Sequence, residues 1–113
     1  MWVFTTEGFY SAVAHRDIPD MLMVRCRAEL DALRLRDWMR KQGHQLEVEH
    51  TPTADYEWRV LVPQMSFAHF LMDHTARIDY PNFKNAVALR QGKTRHDIYA
   101  DVWADMLRLQ HPR

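Results

Sequence analysis

The order in which two hydrophobic periods follow one another constrains this chain most. In residues 21–27, Leu22, Val24 and Cys26 alternate with Met23, Arg25 and Arg27, the period of two that gives a strand its two faces. Residues 9–15 are dominated by aromatic and β-branched types, with Gly8 marking a turn or bulge before them. Residues 16–20 (Arg-Asp-Ile-Pro-Asp) have turn composition, so the two strands predict a hairpin. Residues 28–42 then change to good helix formers, with Gly43 as the stop. Their apolar stripe is Leu30, Leu33, Trp38 and Met39, with Leu35 less well placed.

The same succession then repeats. Leu46 and Val48 alternate with Glu47 and Glu49, residues 51–55 read as a loop, and Trp58, Val60 and Val62 alternate with Arg59 and Leu61 up to Pro63. Ser66 is placed as a helix N-cap, and Phe67, Phe70, Leu71 and His74 follow at i, i+3, i+4 and i+7. Strand, strand, helix, twice over, predicts an α+β fold: a four-stranded antiparallel sheet with helices on one face. It is a permuted ferredoxin-like arrangement (ββαββα) whose usual final strand has moved to the front. Residues 2–5 are either a separate short strand or the start of the first.

A single domain over residues 1–113 is expected, with the sandwich in 1–77 and a C-terminal helical extension in 78–110. Tyr80 stands before Pro81 and is pushed out of the helical region, so the chain turns there. Pro81 suits the first turn of a new helix running to about Gln91, and Gly92 ends it. Thr94 is expected to cap the last helix, with Asp97 three residues on.

Composition acts mainly by exclusion. Lys plus Arg and Asp plus Glu are 15 each, so bulk charge argues neither for nucleic acid nor against self-association. Cys26 is the single cysteine and can form no internal disulfide, which fits a reducing compartment. The start lacks a signal-peptide pattern, and no apolar run reaches the ~20 residues of a membrane helix; a cytoplasmic protein is expected.

Several constellations carry possible chemistry. Arg25, Arg27 and Arg59 share exposed strand faces with Glu47 and Glu49, and opposite charges on neighbouring strands are expected to pair. The paired exposed aromatics with which RNA-binding sheets stack bases are not expected here. Arg34, Arg36, Arg40 and Lys41 form a basic helix, the nucleic-acid alternative. Seven histidines raise a metal site, yet only His69 and Asp73 share helical spacing and neither H-E-x-x-H nor C-x-x-C occurs. No metal and no cofactor are expected. Cys26 falls on the buried face, Ser11 and Ser66 lack an elbow motif, and the Asp101 and Asp105 carboxylates have Arg95 and Arg108 near in sequence, so no catalytic residue is named. At the turn of residues 80–84, Tyr80, Asn82 and Lys84 sit at a helix start that favours anions. The final helix has a wide apolar face in which Tyr99, Trp103 and Met106 are the expected oligomer interface.

The chain also resembles a family of small bacterial proteins. Residues 1–13 follow M-W-x-F-T-x-x-G-F-Y-S-x-V, residues 22–27 L-x-V-R-x-R, and residues 78–87 I-D-Y-x-N-F-K-x-x-V; Val102-Trp103 and Leu109-Gln110 complete the likeness. Ala100 departs from it, where the family pattern has a histidine. The resemblance implies the domain limits and carries no activity with it.

Together these readings give a non-enzymatic binding or regulatory module, homodimeric, recognising a small anionic ligand or a partner protein through Arg25, Arg27, Tyr80, Asn82 and Lys84. An inhibitor-type protein of a bacterial or phage system belongs to the same class. The alternatives are nucleic-acid binding by the basic helix and a small enzyme with a site near residues 80–84.

Overall fold

The computed structural model describes residues 1–111, which divide into two compact units after Ile78. The first contains β1 (Trp2–Phe4), β2 (Phe9–Ala14), β3 (Met21–Cys26), α1 (Glu29–Lys41), β4 (Glu49–His50), β5 (Trp58–Pro63) and α2 (Gln64–Ala76). The fold is α+β, and its sheet has five strands in the order β1-β2-β3-β5-β4, each neighbouring pair antiparallel.

The fifth strand corrects the expected four. The Thr5 hydroxyl donates to the Gly8 carbonyl (2.9 Å) and accepts from the amides of Glu7 (3.1 Å) and Gly8 (2.9 Å), which reverses the chain and lays β1 against β2. The N-terminal ammonium then donates to the Ala12 carbonyl at 2.8 Å and secures the far end. The strand expected at Leu46 and Val48 shortens to Glu49–His50. Arg40 explains part of that loss, because its guanidinium takes the Leu46 carbonyl at 3.0 Å.

One side of the sheet holds the core. Tyr10, Val24, Cys26, Val60 and Val62 meet Ala32, Leu35 and Met39 of α1 and Phe67 and Phe70 of α2. Leu35, expected to be poorly placed, is completely buried, whereas Leu30 is half exposed. The helix is thus rotated about its axis from the predicted stripe, and Leu35 and Met39 supply about 1.5–3 kcal/mol of burial each. Pro63, not Ser66, stands at the N-cap of α2; the Ser66 hydroxyl instead meets His44 Nε2 at 2.9 Å.

The second unit is α3 (Phe83–Gln91), α4 (Lys93–Met106) and a 3₁₀ turn (Leu107–Leu109). Gly92 has φ 90°, the left-handed region open to glycine, and lets α4 begin at once after α3. It takes the cap position expected for Thr94, while Asp97 pairs with Lys93. Val87 and Tyr99 are buried, and the Phe83 and Tyr99 rings stack with centroids 5.8 Å apart. Among the described residues no helix is long and apolar enough to cross a membrane.

Candidate anion-binding site

The sheet face opposite α1 and α2 is built on one transverse row. Trp2 lies opposite Ser11, Ser11 opposite Arg25, Arg25 opposite Arg59, and Arg59 opposite Glu49. Residues directly opposite in antiparallel strands share a face, so the register alone collects these side chains. Arg25 donates to the buried Ser11 hydroxyl at 2.8 Å. Arg59 donates to the Tyr56 carbonyl (3.3 Å) and lies 3.8 Å from Met23 Sδ. Arg27 donates to the Asp55 carbonyl.

Tyr56 is the hub. Its ring, 5% exposed, carries the Arg25 guanidinium at 4.6 Å and the Arg27 guanidinium at 4.3 Å from its centroid. Each cation–π contact stabilises by roughly 0.5–1 kcal/mol. Nothing in the periodicity singles this residue out; it only follows the loop of residues 51–55.

The expected cross-strand placement of opposite charges holds only for Arg59 and Glu49, and no ion pair closes between them. Glu47 goes to Arg40 at 3.2 Å, and Arg25 faces Arg59 instead of a carboxylate. Among the described residues, Arg25, Arg27 and Arg59 make no ion pair, and the Nε atoms of Arg25 and Arg59 are buried without a hydrogen-bond acceptor. Like charges directly opposite cost about 0.2–1 kcal/mol. A guanidinium keeps its charge at any physiological pH and presents a planar fork that matches phosphate or carboxylate. The face therefore holds three arginines, with Glu49 opposite Arg59 the carboxylate placed in their row.

The same face carries aromatic rings, against expectation. β1 brings Trp2 and Phe4 and β2 brings Phe9; Phe4 stacks on Phe9 at 4.6 Å and Trp2 meets Phe9 edge-on at 6.1 Å. They escaped the sequence reading because β1 was not resolved there as a strand of its own.

Behind the row, Asp31 fixes β2 to α1. It is 1% exposed, its carboxylate accepts from the Phe9 amide at 3.0 Å, and its carbonyl accepts from the Tyr10 hydroxyl at 3.1 Å. Burial, followed by the Asp31 charge, pushes the Tyr10 phenol far above the ordinary tyrosine range.

The other expected site residues have local partners. In the second unit, Asn82 caps α3 by accepting from the Asn85 amide at 2.9 Å, the Lys84 ammonium lies 3.7 Å from the Trp103 ring centroid, and the Tyr80 ring tilts against Phe83 at 6.0 Å. On α1, Arg34 donates to the Glu7 carbonyl, Arg36 pairs with Asp37 at 2.9 Å and Arg40 with Glu47, while Lys41 stays exposed. Tyr99, expected at an interface, is 5% exposed and offers no surface; Trp103 and Met106 are 63% and 55% exposed.

A cleft of about 380 Å³ lies between α1 and α2 in the first unit. Its charges are largely matched internally: Arg77 reaches Asp73 (3.2 Å) and Glu7 (3.5 Å), and the Trp38 indole donates to Asp73 at 3.2 Å. His74 packs edge-on against Phe70 at 4.5 Å, the half-buried role its place in the helical stripe implied. Among the described residues no three His, Cys, Asp or Glu side chains are grouped to hold a metal ion.

No family model and no solved structure matches the chain. It is similar over 76 residues to the 2-C-methyl-D-erythritol 4-phosphate cytidylyltransferases of Vibrio vulnificus strains YJ016 and CMCP6, with 34% identity in each case. The match covers 64% of this chain and 32% of each enzyme, so the chain spans about a third of the length of these relatives.

Proposed function

We propose that this protein is a small binding module that takes a phosphate-bearing anion on the sheet face, held by Arg25, Arg27 and Arg59 around Tyr56. The observation that carries the reading is Arg25 set directly opposite Arg59 with neither guanidinium in an ion pair, although Glu49 stands on the far side of Arg59. Such a pair is unfavourable until an anion bridges it, and a phosphoryl group accepts from two guanidinium forks at once. The relatives are named for a phosphate ester, which makes phosphoryl compounds the first class to test. The inner strand order β2-β3-β5-β4, with a helix after each hairpin, supports a permuted ferredoxin-like core. The motif likeness to small bacterial proteins adds no activity to this reading, and an inhibitor role toward a partner protein uses the same three arginines.

The test is isothermal titration with inorganic tripolyphosphate at low salt. Wild type and Arg36→Gln are expected to bind alike, and Arg25→Gln and Arg59→Gln to lose about tenfold or more in affinity, since a hydrogen bond to a charged group contributes about 1.5–3 kcal/mol. Binding that ignores Arg25→Gln and Arg59→Gln rejects the site. We also propose self-association through α4, where Trp103 and Met106 stand exposed.

A further inference from the structure

We propose that the ligand of this face is single-stranded nucleic acid, with a base stacked on Trp2 and successive phosphates on Arg25 and Arg59. The inference rests on the anion-site reading and adds to it the stacking ring and the polymer. Three observations point the same way. Trp2 is 68% exposed, and its ring meets that of Phe9 at 85° with centroids 6.1 Å apart, a contact that holds it on the sheet and leaves most of its surface to solvent. The register puts Trp2, Ser11, Arg25 and Arg59 in one line across four strands. At roughly 4.8 Å between strands that line is about 14 Å long, more than one nucleotide fills and suited to two or three. Finally, the charge is complementary: Arg25 and Arg59, which make no ion pair, lie toward one end and an aromatic platform at the other, the two components with which sheets bind single strands. This is a different surface from the basic helix, whose arginines are already engaged by Glu7, Asp37 and Glu47.

The experiment is fluorescence anisotropy with labelled mixed-sequence RNA and DNA 8-mers, alongside titration with tripolyphosphate and a duplex control. Single strands are expected to bind more tightly than duplex. Trp2→Ala should weaken oligonucleotide binding about five- to a hundredfold, the range of one lost base stack, and leave tripolyphosphate binding unchanged. Trp2→Phe should restore most of it, and Arg59→Gln should weaken both ligands. Oligonucleotide binding that is absent, indifferent to Trp2→Ala, or equal for duplex overturns the proposal, even where tripolyphosphate binding survives and the anion site stands. Absence of tripolyphosphate binding overturns the anion site itself.

Discussion

Arg25 and Arg59 occupy opposing positions of β3 and β5, two permanent cations set side by side on one face of the sheet. Neighbouring strands elsewhere prefer opposite charges at such positions, so this pair lowers stability while it presents charge to an anion. Replacing Arg59 by Gln removes the repulsion while keeping a polar side chain at the position. Urea unfolding of Arg59→Gln at low salt is expected to show a gain of about 0.2–1 kcal/mol. The gain should fade at 1 M salt, where the screening length falls to about 3 Å. A loss of stability at low salt would mean that the repulsion is already compensated.

Gly8 shows how tightly the base of that face is built. A Cβ at this position would stand 2.8 Å from Tyr10 Oη and 2.9 Å from Asp31 Cγ, and both neighbours are buried. Neither can swing aside, because the hydroxyl donates to the Asp31 carbonyl and the carboxylate accepts from the Phe9 amide. Gly8→Ala is therefore expected to destabilise by about 1–3 kcal/mol, the usual cost of overpacking. Chemical denaturation measures it, and the double change with Tyr10→Phe should cost less than the sum of the two, since they share the clash. Full additivity would place the strain elsewhere.

The Tyr10 phenol gives a pH signature. Its ionisation in the folded protein is displaced upward by burial and by the Asp31 charge, while in the unfolded chain it titrates near the ordinary value of 10. The contribution is present in full below pH 10 and is lost as pH rises above it, where the unfolded state gives up a proton that the folded state keeps. Stability should fall between pH 10 and 12 by up to about 1.4 kcal/mol per pH unit from this group. Tyr10→Phe removes that slope. Equal slopes for wild type and Tyr10→Phe would show that the phenol ionises in the folded state.

Much of the first unit was legible because periodicity is local. The alternation in β3 and β5 and the Phe67, Phe70 stripe of α2 appear where the sequence placed them. What escaped depends on contacts distant in sequence. β1 is three residues long and exists because the Thr5 hydroxyl closes a turn, which hydropathy does not register. Asp31 reads as an ordinary acid in a first helical turn until the Phe9 amide, 22 residues earlier, arrives beside it. The site shares this dependence: Arg25 and Arg27 were identified, but whether Glu49 or Arg59 stands opposite Arg25 is decided by strand order, which puts β5 between β3 and β4, and Tyr56 joins only when the loop folds back.

Asn82 separates a structural role from a binding one. Its side chain accepts from the Asn85 amide and satisfies a donor at the start of α3 that would otherwise have no intrahelical partner. Asn82→Ala is expected to cost about 1 kcal/mol in stability, and Asn82→Asp or Asn82→Ser much less, because each retains a side-chain acceptor. Tripolyphosphate affinity should be the same in all of them. An affinity that falls with Asn82→Ala while stability holds would return this residue to the ligand site.

The surface of α4 makes the last test. Ile98, Trp103, Met106 and Leu109 are each more than half exposed, at 54%, 63%, 55% and 72%. Single exposed apolar side chains are ordinary, but several large ones on α4 and the 3₁₀ turn that follows it support the self-association proposed above. Zero net charge offers no long-range repulsion between copies. Trp103 is the natural centre, since tryptophan dominates interface energetics and here its ring already carries the Lys84 ammonium. Light scattering over a dilution series is expected to show a concentration-dependent dimer. Trp103→Ser should weaken it by about 2 kcal/mol or more, roughly thirtyfold in the dissociation constant. Tyr99→Phe should leave it untouched, because Tyr99 lies inside its own unit against Phe83. A monomer throughout the series rejects the interface, and a dimer indifferent to Trp103→Ser moves it off this helix.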